Sequence, residues 1–254
     1  MRILVTNDDG VHSTGLLEVA RSLSEVGEVW VIAPEREQSA AGHGITLHKP
    51  LRMNEVRLDA PVQAAYATNG TPADCVILAV ASDLPAPEMI VAGINGGANL
   101  GEEVLYSGTV SAAMEGSLQG ITSFAVSVTS YVDCIFEPAA SFAACLAERL
   151  ADEKLPAETF LNVNLPNVPT DQLGPAVVTR LGRRTYHNLL ERRVDPRGKP
   201  YYWFSGDPQE RDASEDTDIG AIAAGKISVT PVHFDLTSHQ VTSELAALLD
   251  GIVE

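Results

Sequence analysis

Apolar positions along the first two thirds of the chain follow two spacings. Short runs of consecutive apolar residues, typical of buried strands, alternate with stretches in which apolar residues recur every three or four positions, typical of amphipathic helices. This pattern predicts strands over residues 2–5, 28–33, 64–67, 89–92, 121–129 and 159–163. It predicts helices over residues 15–26, 72–82, 109–118 and 138–150.

Strands that alternate with helices favour right-handed crossovers and a mainly parallel sheet covered on both faces. We therefore predict a doubly wound, Rossmann-like α/β fold. The pattern changes after about residue 166, where it indicates strands and hairpins rather than βαβ units, then a strand over 227–234 and an amphipathic helix over 239–253. We predict one domain over residues 1–254, with a core of about 1–165 and a C-terminal hairpin extension, the arm, over about 166–254.

The arm region is unusual in composition. Seven of the 17 basic residues lie within residues 180–199. Such a basic run is typical of a solvated hairpin face, a substrate rim or a subunit contact. The aromatic run over 201–204 would alternate between the two faces of a strand, so at least two of its rings should be packed. One of these rings could also stack on a base. The final helix is expected to pack in the core or against a second subunit.

Composition and charge narrow the functional classes. The chain has 254 residues of which 45% are hydrophobic, enough for one large core. It carries 34 acidic and 17 basic residues, a net charge of −17. This charge argues against a nucleic-acid polymer or an anionic membrane as partner. An anionic substrate would need local positive charge, for example from a metal ion.

The cysteines and the hydropathy of the sequence indicate in which cellular compartment the protein is expected. Cys75, Cys134 and Cys145 are far apart and form no C-x-x-C pair, so a disulfide framework or a thiolate zinc site is not expected. No apolar run approaches the roughly 18 residues that a membrane span needs. The opening MRILV is followed at once by polar residues, unlike a secretory signal. We therefore predict a cytoplasmic protein.

Side-chain oxygens follow three of the predicted strands. Asp8 and Asp9 follow the first strand, Ser39 lies in the loop after the second, and Asn95 lies in GINGGANLG after the strand over 89–92. Ligands of open α/β sheets bind at the carboxyl ends of the strands. Carboxylate, hydroxyl and amide oxygens suit a hard cation such as Mg²⁺ or Mn²⁺. The alternative is that NDDG is only a turn, because Asn and Asp-Gly are common turn formers.

A fourth loop could bind phosphate. Ser107, Gly108 and Thr109 immediately precede a predicted helix, whose N–H groups and positive dipole end suit an anion. An ordinary N-cap is the alternative explanation. A cation beside a helix N-terminus that binds phosphate is typical of the active site of a phosphoryl-transfer enzyme.

Several long segments resemble one known family. They are ILVTNDDG, APEREQSAAG, NGTPADCV, GINGGANLG, YSGTVSAAMEG and VTPVHFDLTSH, which occur in this order. The chain resembles the SurE (stationary-phase survival protein) family of metal-dependent 5'-nucleotidases. The likeness covers most of residues 1–130 and about 227–239, and is weakest over 166–226.

The resemblance implies hydrolysis of nucleoside monophosphates with one divalent cation, Mg²⁺ or Mn²⁺, in each subunit. It implies cytoplasmic homodimers or homotetramers with exchanged C-terminal segments. It assigns the metal ligands to Asp8, Asp9, Ser39 and Asn95, and the phosphate contacts to Asn95, Ser107, Gly108 and Thr109. Ala40 departs from the family, which often has Gly at this position.

The roles in catalysis are left open by the sequence. Asp8 and Asp9 are the expected catalytic carboxylates, and Asp8 could instead act as base or nucleophile. Asp235 and His239 lie four residues apart, so His239 could protonate the leaving alkoxide. The alternative is a surface histidine.

Two other functions compete with a nucleotidase. A haloacid-dehalogenase-like phosphatase would use D-x-D, whereas Asp8 and Asp9 are adjacent. A non-catalytic protein that senses nucleotides or metals could use the same scaffold. Activity on 3'-nucleotides and short polyphosphate could accompany the 5'-nucleotidase reaction.

Overall fold

The computed structural model describes residues 1–153, 155–187, 190–204, 206–249 and 252. Its strands are β1 (Arg2–Thr6), β2 (Glu28–Pro34), β3 (Met53–Val56), β4 (Ala64–Thr68), β5 (Met89–Gly96), β6 (Thr122–Val128), β7 (Thr159–Leu165), β8 (Ala176–Val178), β9 (Arg183–His187), β10 (Leu190–Val194), β11 (Pro200–Phe204), β12 (Asp207–Asp212) and β13 (Ile227–His233). Its helices are α1 (Thr14–Leu23), α2 (Pro72–Ala81), α3 (Gly108–Leu118), α4 (Glu137–Asp152), α5 (Asp218–Ala223) and α6 (Thr242–Leu249). Short 3-10 helices cover Gly101–Leu105, Thr170–Gln172 and His239–Val241.

The main sheet has nine strands in the order β3-β4-β2-β1-β5-β6-β7-β13-β8. The six strands from β4 to β7 in this order are parallel. The chain moves outward from β1 through β2 to β4, and then returns to the other side of β1 with β5. The doubly wound α/β fold is therefore confirmed, and the strand order reverses between β1 and β5. Ligands of such folds bind at this point.

Both faces of the sheet are buried. Ile3 and Val5 of β1 belong to the hydrophobic cluster that also contains residues of α1 and α4. Leu4 points to the opposite cluster, which contains residues of α2 and α3. Burial on both faces explains why this strand is apolar at consecutive positions.

Helix α1 illustrates how the local sequence fits this arrangement. Its buried residues include Leu16, Val19 and Leu23, which follow helical spacing, and Ser13 caps its N-terminus. Gly15 allows the helix to approach β5 closely, because a Cβ at this position would lie 2.1 Å from the carbonyl oxygen of Ile94.

The region after residue 166 differs from the prediction in part. Hairpin-like pairs are present, because β9 pairs with β12 and β10 pairs with β11, both antiparallel. However, β8 and β13 are parallel neighbours in the main sheet, and α5 precedes β13. The prediction of hairpins without a helical crossover was therefore wrong. The six-residue α5 is too short to give a clear helical pattern, and strands β9 to β12 separate it from β8 along the chain.

The aromatic run of β11 is exposed. Tyr201, Tyr202, Trp203 and Phe204 are all exposed, so the expectation that at least two of them are packed was wrong for this chain. The physical reason is that β10 and β11 form a separate two-stranded sheet. Such a pair is marginal alone in water.

The C-terminal segment is also exposed. The predicted helix over 239–253 appears as the 3-10 turn His239–Val241 followed by α6, while residues 250, 251 and 253 of that prediction lie outside the described residues. Leu245, Leu248 and Leu249 are exposed, so packing in the core of the same chain was a wrong expectation. Within the described ranges, no helix combines the length and apolar character needed to cross a membrane.

Candidate active site

A buried asparagine shapes the turn that follows β1. The side-chain nitrogen of Asn7 donates hydrogen bonds to the Gly10 carbonyl at 3.1 Å and to Ser13 Oγ at 2.7 Å. Its side-chain oxygen accepts from the Gly10 N–H at 3.2 Å. Asn7 thus closes the turn and joins it to the start of α1, which fixes Asp8 and Asp9 at the end of the strand. The sequence pattern did not predict this role for Asn7.

Asp8 lies at the N-terminus of α3 and is only 5% exposed. The Thr109 hydroxyl donates to Asp8 Oδ1, and the Thr109 N–H donates to Oδ2 at 3.2 Å. A Cβ on Gly108 would lie 2.9 Å from Asp8 Cβ, so glycine leaves the space that the carboxylate occupies. Burial raises the pKa of Asp8, although the hydrogen bonds from Thr109 and Gly108 act in the opposite direction.

Asp9 is less buried and lies beside β5. Its Oδ2 accepts a hydrogen bond from the Gly96 N–H at 3.4 Å. Burial and the charge of Asp8 raise the pKa of Asp9 to about 6. The two carboxylates therefore repel each other when both are ionised, as expected for a pair that a cation would bridge.

Ser39 lies in the loop after β2, and Asn95 lies near the carboxyl end of β5. The Gln38 N–H donates to the Asp8 carbonyl oxygen at 2.7 Å, which fixes the loop after β2 against the turn that carries Asp8. The Asn95 side-chain nitrogen donates to the Gly97 carbonyl at 2.7 Å. Among the described residues the side-chain oxygen of Asn95 accepts no hydrogen bond, so it is available to a ligand.

The predicted ligands share one cavity of about 880 Å³. Five predicted site residues line it, namely Asp8, Asp9, Ser39, Asn95 and Ser107. Over the described part of the chain, no three His, Cys, Asp or Glu side chains are grouped so that they could hold a metal. The predicted donor set is thus the two adjacent carboxylates with the neutral oxygens of Ser39 and Asn95, while Glu37 and Glu103 also line the cavity. This donor set fits a hard divalent cation that keeps positions open for water and substrate.

The phosphate-binding turn divides into two parts. Ser107 lines the cavity, and its Oγ accepts from the Val110 N–H at 3.1 Å, which leaves the hydroxyl hydrogen for a ligand. Gly108 and Thr109 do not line the cavity, and the donors of Thr109 are directed to Asp8. In this structure the start of α3 therefore binds the Asp8 carboxylate.

Asp235 and His239 lie elsewhere in this chain. His239 Nε2 is 2.6 Å from Asp235 Oδ2, and both side chains are exposed. The hydrogen bond with His239 lowers the pKa of Asp235 below its usual range. Neither residue lines the cavity of the same chain, so their catalytic role stays a prediction.

The loop after β6 supplies cavity residues that the sequence analysis missed. Tyr131, Cys134 and Phe136 all line the cavity. The signal was available, because SYVDCIF follows a predicted strand on the same edge of the sheet.

A buried amide cluster supports the loop that carries Asn99. The side chains of Asn162 and Asn164, on β7, donate to the Asn99 carbonyl at 2.8 and 3.0 Å. The Asn99 N–H donates to Asn164 Oδ1 at 2.8 Å, and its side chain donates to Ser127 Oγ at 2.8 Å. This network fixes the glycine-rich loop on the sheet, because a buried amide is costly to leave unpaired.

Ala40 gives a first prediction. Its φ of 56° lies in the left-handed region, which costs an alanine about 1–2 kcal/mol. Replacing Ala40 with Gly should raise the free energy of unfolding by about 0.5–1 kcal/mol, because glycine's larger backbone entropy offsets part of the relief. Urea denaturation measures the change.

The neighbouring Ala41 is the matched control, because its φ is not positive. The Ala41→Gly variant should lose about 0.5–1 kcal/mol of stability. Equal losses in both variants would contradict the proposed strain at Ala40.

The raised pKa of Asp9 gives a second prediction, for the metal-free protein. Between the unfolded value of 3.8 and the folded value of about 6, the folded state binds more protons than the unfolded state. The free energy of unfolding must therefore fall as pH rises through this window. Two units correspond to about 3 kcal/mol, which partial exposure reduces to about 1–2 kcal/mol.

Urea denaturation in EDTA from pH 4 to 7.5, on wild type and Asp9→Asn, isolates this effect. The asparagine does not titrate, so the stability of wild type relative to the variant should decline as pH rises. A constant difference across the window would show that the pKa of Asp9 is not raised.

Comparisons with known proteins show which family this chain resembles over nearly its whole length. A family profile described as "Survival protein SurE" matches residues 3–188. The protein named 5'-nucleotidase SurE from Moorella thermoacetica is 52% identical over 250 residues, covering 98% of this chain and 96% of the relative. The protein of the same name from Heliobacterium modesticaldum is 48% identical over 252 residues, covering 99% of this chain and 93% of the relative. The crystal structure of the SurE protein from Aquifex aeolicus superposes with a TM-score of 0.86 at 38% identity, covering 98% of this chain and all of that one.

Proposed function

This chain belongs to the SurE family, and from that membership we propose that it is a 5'-nucleotidase. It would hydrolyse nucleoside 5'-monophosphates to nucleoside and phosphate with one divalent cation, Mg²⁺ or Mn²⁺, in each subunit. The observation that carries the proposal is the meeting of Asp8 and Asp9 with Ser39, Asn95 and Ser107 around one cavity.

Asp8, Asp9, Ser39 and Asn95 are the residues that would hold the cation. When bound, a divalent cation offsets the negative charge of the phosphate and of the attacking oxygen. The cavity is acidic, so an anionic phosphate would need a cation to offset the repulsion from the carboxylates. Glu37 and Glu103 also line it, while Lys, Arg and His are absent from its described lining.

The remaining steps use groups of the protein itself. The hydroxyl of Ser107 donates to a phosphate oxygen. The Asp8 carboxylate is held in one orientation by Thr109, so it can accept a hydrogen bond from the attacking water. Such fixed orientation removes the reorganisation that the same groups would need in water.

Protonation of the leaving alkoxide is proposed for His239, supported by Asp235. Since this pair lies on an exposed segment of its own chain, it would act in the cavity of a neighbouring subunit. Exposed apolar side chains, among them Leu236, Leu245 and Leu248, support an assembly in which this segment is exchanged. We propose a homodimer or homotetramer on this basis.

The test is phosphate release from nucleoside 5'- and 3'-monophosphates and short polyphosphate, with EDTA, Mg²⁺ or Mn²⁺. We expect metal-dependent release that is fastest with 5'-monophosphates. Folded protein that binds nucleotide but releases no phosphate with either metal would favour a sensing function. A cytoplasmic location remains part of the proposal, and the three cysteines are free.

A further inference from the structure

An exposed aromatic ring lies at the edge of the cavity. Tyr131 is 81% exposed although it belongs to the cavity lining. Its ring rests on the backbone of Gly97, because a Cβ at Gly97 would lie only 2.2 Å from a ring carbon of Tyr131. Contact with bare backbone on one side and solvent on the other leaves much of the ring surface accessible.

The backbone under this ring is well fixed. The Gly97 N–H donates to the Val128 carbonyl at 3.0 Å, and the Gly97 carbonyl accepts from the Asn95 side chain at 2.7 Å. The φ of Gly97 is 117°, a conformation that residues with side chains rarely adopt. A side chain at position 97 would therefore be disfavoured both by the backbone conformation and by the close approach of the Tyr131 ring.

The ring is close to the paired carboxylates. Gly96 donates its N–H to Asp9, and the next residue, Gly97, contacts Tyr131. Since neighbouring Cα atoms are about 3.8 Å apart, the ring lies within a few such steps of the carboxylate pair. A phosphate beside Asp9 would therefore have this aromatic ring within reach of the group that it esterifies.

The size of the cavity also calls for a larger group than phosphate. A phosphate ion fills only a small part of about 880 Å³. A planar ring joined to the phosphate by a short polar linker would reach from the carboxylates to the aromatic edge.

We propose that Tyr131 is the stacking platform for the nucleobase of the substrate. This inference rests on the proposed nucleotidase function and adds its base subsite. Every nucleobase has a π face, so a platform of this kind binds bases with little discrimination. The aromatic run of β11, considered above for this role, does not line the cavity of the same chain.

The test compares substrates with and without a base. AMP and ribose 5-phosphate share the phosphate and the ribose, so a base platform affects only AMP. Replacing Tyr131 with Ala should lower kcat/KM for AMP on the order of 10-fold, mainly through KM, and change that for ribose 5-phosphate less than about twofold. Tyr131→Phe should retain activity on AMP because it keeps the ring.

Val132→Ala is the matched control. Val132 is exposed in the same loop but does not line the cavity, so this variant should behave as wild type on both substrates. An equal loss on AMP and ribose 5-phosphate in Tyr131→Ala would assign the ring to loop support and overturn the proposal. Unchanged kinetics on AMP would overturn it as well.

Direct binding separates this inference from the proposed reaction. Calorimetric titration with AMP and with ribose 5-phosphate measures the contribution of the base without turnover. If wild type hydrolysed neither substrate, the nucleotidase proposal would fail, while tighter binding of AMP that is lost in Tyr131→Ala would still support the platform. Equal affinities of wild type for the two ligands would contradict the platform itself.

Discussion

Replacing Asp8 with Asn should lower the turnover of nucleoside monophosphate by at least about 10²–10³-fold, the size of effect expected when a preorganised group at the reacting centre is removed. Asp8 is one of the two adjacent carboxylates proposed to hold the cation, and the described lining of the cavity contains no cationic side chain. In the proposed mechanism, loss of its charge would weaken cation binding and remove an acceptor for the attacking water. Phosphate release at saturating substrate and metal measures the effect.

The asparagine variant should remain folded, which makes the result interpretable. The new amide can accept the Thr109 N–H through its oxygen and donate to the Thr109 hydroxyl oxygen through its nitrogen, because a hydroxyl can reverse its role. Burying a neutral amide also costs less than burying a carboxylate. Urea denaturation should therefore show stability equal to or above that of the metal-free wild type.

Asp171→Asn is the control for loss of one negative charge. Asp171 is exposed in the 3-10 helix Thr170–Gln172 and does not line the cavity, so its replacement should leave turnover within about twofold, as for a typical surface substitution. If Asp8→Asn retained nearly full turnover, the reaction would not take place at the paired carboxylates.

The meeting of the site residues could be predicted from sequence because of a simple geometric rule. Parallel strands end at one edge of a sheet, so residues at or beyond the carboxyl ends of β1, β2 and β5 lie near one another. Asp9 and Asn95 illustrate this, since they flank the point where the strand order reverses. The rule also covers Tyr131 after β6, but a single tyrosine in a loop carries no pattern that marks it.

The partner of a helix N-terminus could not be predicted in the same way. A Ser-Gly-Thr turn before a helix predicts that the helix N-terminus binds an anion, but it does not identify the anion. In the structure the donors of Thr109 are directed to Asp8, which is 101 positions away in sequence. The packing of α3 against β5 and β6 places its N-terminus beside the end of β1 and so decides this contact.

The arm shows the other limit of sequence patterns. Periodicity reports which side of an element is buried, but not whether its partner belongs to the same chain. The aromatic residues of β11 and the leucines of α6 were predicted to be packed, yet this chain leaves them exposed. The proposed exchange of C-terminal segments would cover them with a second chain.

Replacing Asp9 with Asn should weaken Mn²⁺ binding by about 100-fold or more. Changing a residue that only hydrogen-bonds to a metal ligand already weakens metal binding by about 10–100-fold, so loss of a charged ligand should reach at least the upper end of that range. Asp9 is the more accessible of the two carboxylates, and its charge would be one of only two ionised ligands. Isothermal titration with Mn²⁺ in the absence of substrate measures the dissociation constant directly. Glu35→Asn is the control, because Glu35 is exposed and does not line the cavity.

Metal-induced stabilisation gives an independent readout of the same variant. A ligand that binds only the folded state stabilises it by RT ln(1 + [L]/Kd), or about 2.7 kcal/mol at 100 times Kd. Wild type in Mn²⁺ at that ratio should gain about this amount, whereas Asp9→Asn, with a Kd about 100 times higher, should gain only about 0.4 kcal/mol. Because the asparagine also relieves the repulsion with Asp8, the metal-free variant should be the more stable of the two proteins above pH 6. The stability order of wild type and Asp9→Asn should therefore reverse when Mn²⁺ is added. An order that is the same with and without Mn²⁺ would show that the two aspartates do not share a cation.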